Sequence, residues 1–189
     1  MKKLFFPFII CILAILGCNE KNKTTKQLPV VPPVADSKAA VSPPPVVANQ
    51  PVLKEYSAEI KLVGKLETLK PEQKIMLPVV VKNTSQENWL PSPNMLAETE
   101  AEYPNLPIGP IAVCYHWLNE NGTKDVVYQG YRTFFPKGLQ AGAQIEMKAL
   151  IKAPPQPGKY ILRLTLIQNR IAWFENKGMI PLDLLVTVQ

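Results

Sequence analysis

Few side chains in this sequence can do chemistry near neutral pH, and their spacing limits what they could do. The 189 residues include one histidine, His116, and three cysteines, Cys11, Cys18 and Cys114. In the run Ile111-Ala112-Val113-Cys114-Tyr115-His116-Trp117-Leu118, His116 falls on the strand face opposite Tyr115 and Trp117. The sequence pattern places no nucleophile beside it, so a solvated or hydrogen-bonded surface histidine is expected. Cys114 alternates with larger apolar residues and reads as a buried, inert thiol. Glu98, Glu100 and Glu102 are spaced by two, so a helix would not bring them to one face. They lack the Asp-rich loop of a calcium site. A glycosidase pair among them would depend on separation in space. Zinc-ligand spacing, a P-loop, GxSxG and GxGxxG are all missing, so no catalytic residue, metal or cofactor is assigned. Arg132, in Gly130-Tyr131-Arg132-Thr133, could grip a carboxylate or phosphate with two hydrogen bonds, or pair with a loop glutamate. Trp89 and the Trp173-Phe174-Glu175 segment lie near loops or strand ends. There, aromatics either anchor a sugar or protein partner or cap the ends of a core.

The elements that must position these residues repeat with period two. The alternation predicts strands over 59–62, 74–82, 111–118, 145–151, 160–167 and 182–188, with a short one at 171–174. Pro78 points to an edge or a bulge in its strand. Asn83-Thr84-Ser85 is a turn, and Asn121-Gly122 is a hairpin signal. A return strand follows from Val126-Val127-Tyr128 toward Phe134-Phe135. Trp117 is placed as the core tryptophan. Tyr160, two residues after Gly158, is placed as a tyrosine corner. The rhythm breaks from Trp89 to Pro110, a proline-rich loop in which Met95 to Tyr103 could form a short helix. A loop of that length in a compact domain is often functional. Short strands separated by turn signals predict an all-β, antiparallel β-sandwich of about seven strands.

Ahead of this domain the composition changes twice. Met1-Lys2-Lys3 is followed by an apolar run from Leu4 to Leu16, then by Gly17-Cys18. The run is shorter than the ~20 residues a spanning helix needs. It has the three regions of a secretory signal. Ile15-Leu16-Gly17-Cys18 resembles the lipobox of bacterial lipoproteins. That resemblance implies cleavage before Cys18, thioether-linked diacylglycerol on its sulfur and an amide-linked acyl chain. Residues 1–17 are then a lipoprotein signal peptide. Residues 18–52 are the lipidated cysteine and a proline-rich tether, including Pro29, Pro32, Pro33, Pro43, Pro44, Pro45 and Pro51. Such a segment is a semi-rigid spacer of ~3.1 Å per residue, with a reach on the order of 100 Å. Residues 53–189 form the domain. Part of the net +6 leaves with Lys2 and Lys3. More of it sits in the tether, where Lys21, Lys23, Lys26 and Lys38 outnumber Glu20 and Asp36. The nearly neutral domain has no nucleic-acid footprint. With Cys11 cleaved and Cys18 lipidated, Cys114 has no partner for an intramolecular disulfide.

Residues 75–189 resemble a family of bacterial immunoglobulin-like domains. The resemblance rests on Val81-Lys82-Asn83-Thr84-Ser85 followed by Trp89, and on Tyr115-His116-Trp117-Leu118 followed by Asn121-Gly122. It continues through Gly130-Tyr131-Arg132-Thr133-Phe134-Phe135-Pro136, then Ala153-Pro154 with Pro157-Gly158-Lys159-Tyr160, and Trp173-Phe174 before Gly178. The arrangement is also similar to the central four-tryptophan domain of autophagy receptors. The resemblance implies an immunoglobulin-like sandwich without catalytic residues, akin to accessory domains of bacterial surface-glycan enzymes. The resulting expectation is a membrane-anchored, non-catalytic binding or scaffold lipoprotein of the cell envelope, on the outer membrane if the source is Gram-negative. It would engage a protein or glycan partner through Trp89, Arg132, Trp173, Phe174 and Glu175. Its oligomeric state is open. The alternative is a small envelope hydrolase using acids of the 89–110 loop.

Overall fold

The structure is a computed structural model that describes residues 49–92, 96–97 and 106–189. All of these lie in one compact unit ending at Gln189. The expected signal peptide, Cys18, most of the tether and Glu98, Glu100 and Glu102 lie outside the described residues.

Two antiparallel sheets form a sandwich. The smaller has the order β1-β2-β7, from Ala58–Leu62, Lys74–Asn83 and Gln144–Lys152. The larger has the order β10-β8-β4-β6-β3, from Leu182–Val188, Gly158–Gln168, Ile111–Asn119, Arg132–Phe134 and Leu96–Ala97. Two short strands complete it: β5 (Asp125–Val127) pairs with β4, and β9 (Ala172–Trp173) pairs with β8. A 3-10 turn, Glu175–Lys177, follows β9. Alternation sends Leu77, Val79 and Val81 of β2, Val113, Tyr115 and Trp117 of β4, and Leu162, Leu164 and Leu166 of β8 into the core between the sheets. The all-β, immunoglobulin-like sandwich is therefore present.

Trp117 is fully buried and its Nε1–H donates to the Lys152 carbonyl at 2.8 Å. The Tyr160 hydroxyl donates to the Gln156 carbonyl at 2.9 Å, closing the tyrosine corner.

Four local expectations change. Pro78 is in β2, the centre of its sheet, rather than on an edge. Its missing N–H falls opposite Val63, just past the end of β1, and its carbonyl accepts the Val63 N–H at 3.0 Å. The return strand is split into β5 and β6, with Gly130 between them. Residues 96–97, expected within a short helix, are extended and pair with β6. The chain also joins the domain before residue 53. The Gln50 N–H donates to the Ile108 carbonyl, and the Gln168 amide accepts from Leu53 N–H and Tyr56 hydroxyl while donating to the Pro51 carbonyl.

Candidate functional site

Four of the five residues expected to form a binding surface are buried. Trp89 sits in the main core, its ring edge-on to Phe135 and Phe174 at 5.4 and 5.7 Å. Its Nε1–H has no acceptor among the described residues. Trp173 ends β9, and Phe174 follows it with a helical backbone (φ -63°, ψ -37°) at the start of the 3-10 turn, so the two side chains part where the strand gives way to the turn. Phe174 enters the main core, whereas Trp173 joins Leu106, Ala112, Cys114, Phe134 and Ile167 in a second cluster on the outer face of the larger sheet. Arg132 is buried in β6 and donates through Nη2 to Gln129 Oε1 at 2.8 Å. These residues act from inside the fold. Trp89 and Phe174 pack in the main core and Trp173 packs on the outer face of the larger sheet, so these buried side chains do not form one exposed hollow.

Glu175 leads to an assembly that the sequence did not announce. His116 is buried on the outer face of β4 rather than solvated. Strand alternation placed it on that face correctly, but β9 and the 3-10 turn fold over it. Its Nδ1 meets the Tyr128 carbonyl, and its Nε2 lies 3.2 Å from Glu175 Oε1. A carbonyl only accepts, so Nδ1 is the donor in that contact. The rings of Trp173 and Tyr128 pack on the imidazole at 4.5 and 5.3 Å. Burial pushes the Glu175 carboxyl up, but the hydrogen bond and charge of His116, with Arg163 and Thr165, outweigh it and hold the group below its ordinary range. On the same face, the Cys114 thiol donates to the Gly130 carbonyl at 3.3 Å, and burial pushes its pKa up to about 12. A thiol so held is not a nucleophile near neutral pH.

An open cleft of about 350 Å³ lies where β5 gives way to β6. Its floor is Tyr115, and its rim carries Gln129, Tyr131, Glu72, Lys152 and Pro154-Pro155. Gly130 makes the cleft possible. A Cβ there would lie 2.3 Å from the Tyr115 ring, so only glycine lets the backbone rest on that ring. The Gly130 N–H also donates to the Tyr115 carbonyl at 2.8 Å.

Lys152 organises one wall. Its N–H donates to the Tyr115 hydroxyl at 2.9 Å, its carbonyl accepts Trp117 Nε1–H, and its Nζ pairs with Glu72 Oε1 at 2.8 Å. The hydrogen bond that Lys152 donates to Glu72 raises the Lys152 pKa, and burial raises that of Tyr115. Glu72 holds a φ of 58°, after Pro71, the pattern of a type II turn in which glycine is usual at that place. Lys74 Nζ stands 5.2 Å from the centre of the Tyr131 ring. The cleft thus presents an aromatic ring, a carboxamide and both signs of charge. In the sequence, Gly130 and Tyr131 stand out as fold markers and not as a site. The rim is assembled from residues about 80 positions apart, as the Lys152–Glu72 pair illustrates.

Among the described residues no group of three or more His, Cys, Asp or Glu side chains is placed to hold a metal ion, and no helix is long and apolar enough to cross a membrane.

No protein-family model matches the sequence, and no curated protein matches it. Among solved structures, the chain is similar to a β-glucosidase variant from Listeria innocua in complex with laminaribiose, at 13% identity over 83% of this chain and a TM-score of 0.39. It is also similar to β-glucosidase from Listeria innocua in complex with gluconolactone, at 15% identity over 81% of this chain and a TM-score of 0.36. The chain spans 20% of the length of either enzyme. Likeness at these scores bears on neither activity nor ligand.

Proposed function

We propose that this chain is a non-catalytic binding or scaffold lipoprotein of the bacterial cell envelope. Lipid on Cys18 holds it to the membrane, the proline-rich tether carries the sandwich away from the bilayer, and the domain engages a protein or glycan partner. The observation that carries the binding reading is the cleft between β5 and β6. At about 350 Å³ it has the size of a small ligand site. It combines an aromatic platform at Tyr131 with directional groups at Gln129, Glu72 and Lys152. Sugar rings and peptide segments are held by that mixture of flat apolar contact and hydrogen bonding. The titratable groups nearby favour holding over turnover. Glu72 is tied to Lys152, and the Tyr115 hydroxyl is tied to backbone with its pKa raised. Efficient general acids and bases instead keep a pKa near the working pH.

The test is binding of the full chain to arrayed bacterial envelope glycans and to solubilised envelope proteins, with Tyr131→Ala and Gln129→Ala beside the parent. Capture that either substitution weakens at least tenfold, with the melting temperature little changed, supports the reading. Capture that neither substitution alters would place binding elsewhere and overturn the role of the cleft.

A further inference from the structure

The smaller sheet ends at β1, and this edge differs from those at β7 and β10. The free side of β7 meets the larger sheet, where the Leu150 N–H donates to Thr133 Oγ1 at 3.0 Å. The free side of β10 is bridged by Leu69, whose N–H donates to the Thr187 carbonyl and whose carbonyl accepts from Gln189 N–H. The outer side of β1 has no such cover among the described residues. Its phase is fixed by two bonds. The Ser57 carbonyl accepts from Thr84 N–H, and the Val63 N–H donates to the Pro78 carbonyl. In an antiparallel ladder alternate residues face the same neighbour. Residues 57, 59, 61 and 63 therefore turn their backbone groups toward β2, and Ala58, Ile60 and Leu62 turn theirs outward. A groove of about 480 Å³ runs beside this edge, with Ser57–Ile60 on one wall and Gly178–Leu182 on the other. In it Ile180 is 86% exposed, far more than is usual for a large apolar side chain.

The geometry points to a second copy of this chain as the occupant, paired antiparallel through β1 about Ile60. In that register Ile60 faces Ile60 of the partner subunit, and Ala58 faces Leu62 of the partner subunit. All three outward-turned residues then exchange both backbone bonds. The same register sets Glu59 against Lys61 of the partner subunit, and Lys61 against Glu59 of the partner subunit, on the outer face. These are non-hydrogen-bonded positions, where facing side chains approach most closely and opposite charges stabilise. Within one copy Glu59 and Lys61 already pair at 2.9 Å on that face while remaining well exposed. The two small sheets become one continuous six-stranded sheet. The symmetry is that of a closed, self-complementary dimer, and the Glu-Ile-Lys order is what makes the edge complementary to itself. An edge lysine alone would guard against pairing; here a glutamate two residues earlier offers it a partner.

The test is sedimentation of the full chain in neutral detergent across a concentration series, with charge reversals at both positions. The parent dimerises. Glu59→Lys and Lys61→Glu each set like charges opposite one another and weaken dimerisation at least tenfold. The double reversal restores it. Mixing Glu59→Cys chains with Lys61→Cys chains under mild oxidation gives a crosslinked heterodimer in much higher yield than either variant alone, because only that mixture brings the two thiols opposite one another. A parent that stays monomeric throughout would overturn the proposal, including the case in which the edge takes a strand from another protein. A dimer indifferent to the single reversals would overturn it too. Loss of envelope binding through the cleft bears on the proposed function but not on this edge.

Discussion

The one histidine shows how a single side chain can be placed correctly and still be misread. Period two sends His116 to the face opposite Trp117, and the structure agrees. What covers that face is Tyr128, just after β5, with Trp173 and Glu175, brought from about 60 positions along the chain by β9 and the turn after it, and no local pattern announces such a cover. The pairing with Glu175 has a consequence for acid stability. A carboxyl held below its ordinary pKa in the folded state stabilises the fold above the unfolded value, about 4.3 for Glu. That contribution is lost as pH falls through the lower, folded value. Urea denaturation should find the parent more stable than Glu175→Gln near pH 6, with the gap narrowing as pH drops below 4. A constant gap across that range would mean the pair carries no proton-linked stability. Trp117 is the opposite case, legible from its place in an alternating strand. It is fully buried with its indole N–H satisfied, so Trp117→Ala is expected to cost ~3–5 kcal/mol, read from the denaturation midpoint.

At the scale of elements, the long alternating strands were readable because a half-buried sheet imposes its period on the sequence. The interruptions were not. Val126 to Phe135 reads as one return strand, yet the chain leaves the ladder at Tyr128 so that Gly130 can rest on the Tyr115 ring. The requirement is a close approach across two strands, which a lone glycine does not reveal. Gly130→Ala is accordingly expected to destabilise by about 1–3 kcal/mol through overpacking. It should also displace Gln129 and Tyr131, so ligand capture should fall with it. An unaltered melting temperature would show that the backbone can move off the ring without penalty. Pro78 teaches a related point. It reads as an edge or bulge residue, but a central strand tolerates it where the neighbouring strand has already ended. The Asn83-Thr84-Ser85 turn was legible from residue type. The inward amide of Asn83, which donates to the Glu87 and Leu139 carbonyls and accepts from Ser85, was not, because Leu139 lies 56 residues away.

For the whole molecule, the fold class was legible and the burial of the expected binding residues was not. Trp89, Trp173 and Phe174 stand where the strand rhythm falters, which is equally the signature of residues that close the ends of a core, and they are buried. The cleft proposed for binding is lined by Tyr131, Gln129, Glu72 and Lys152, none of which is unusual within its own segment. In the proposed function the proline-rich spacer holds the domain at a distance from a membrane, since a segment of that composition adds reach without adding a core. The proposed anchor lies at the N-terminus. The most direct measurement is mass spectrometry of the mature N-terminal peptide from the membrane fraction of cells expressing the full chain. The account predicts a peptide beginning at Cys18 and carrying diacylglycerol, with Cys18→Ser leaving the chain unprocessed. A free Cys18 thiol, or cleavage at another bond, would contradict it.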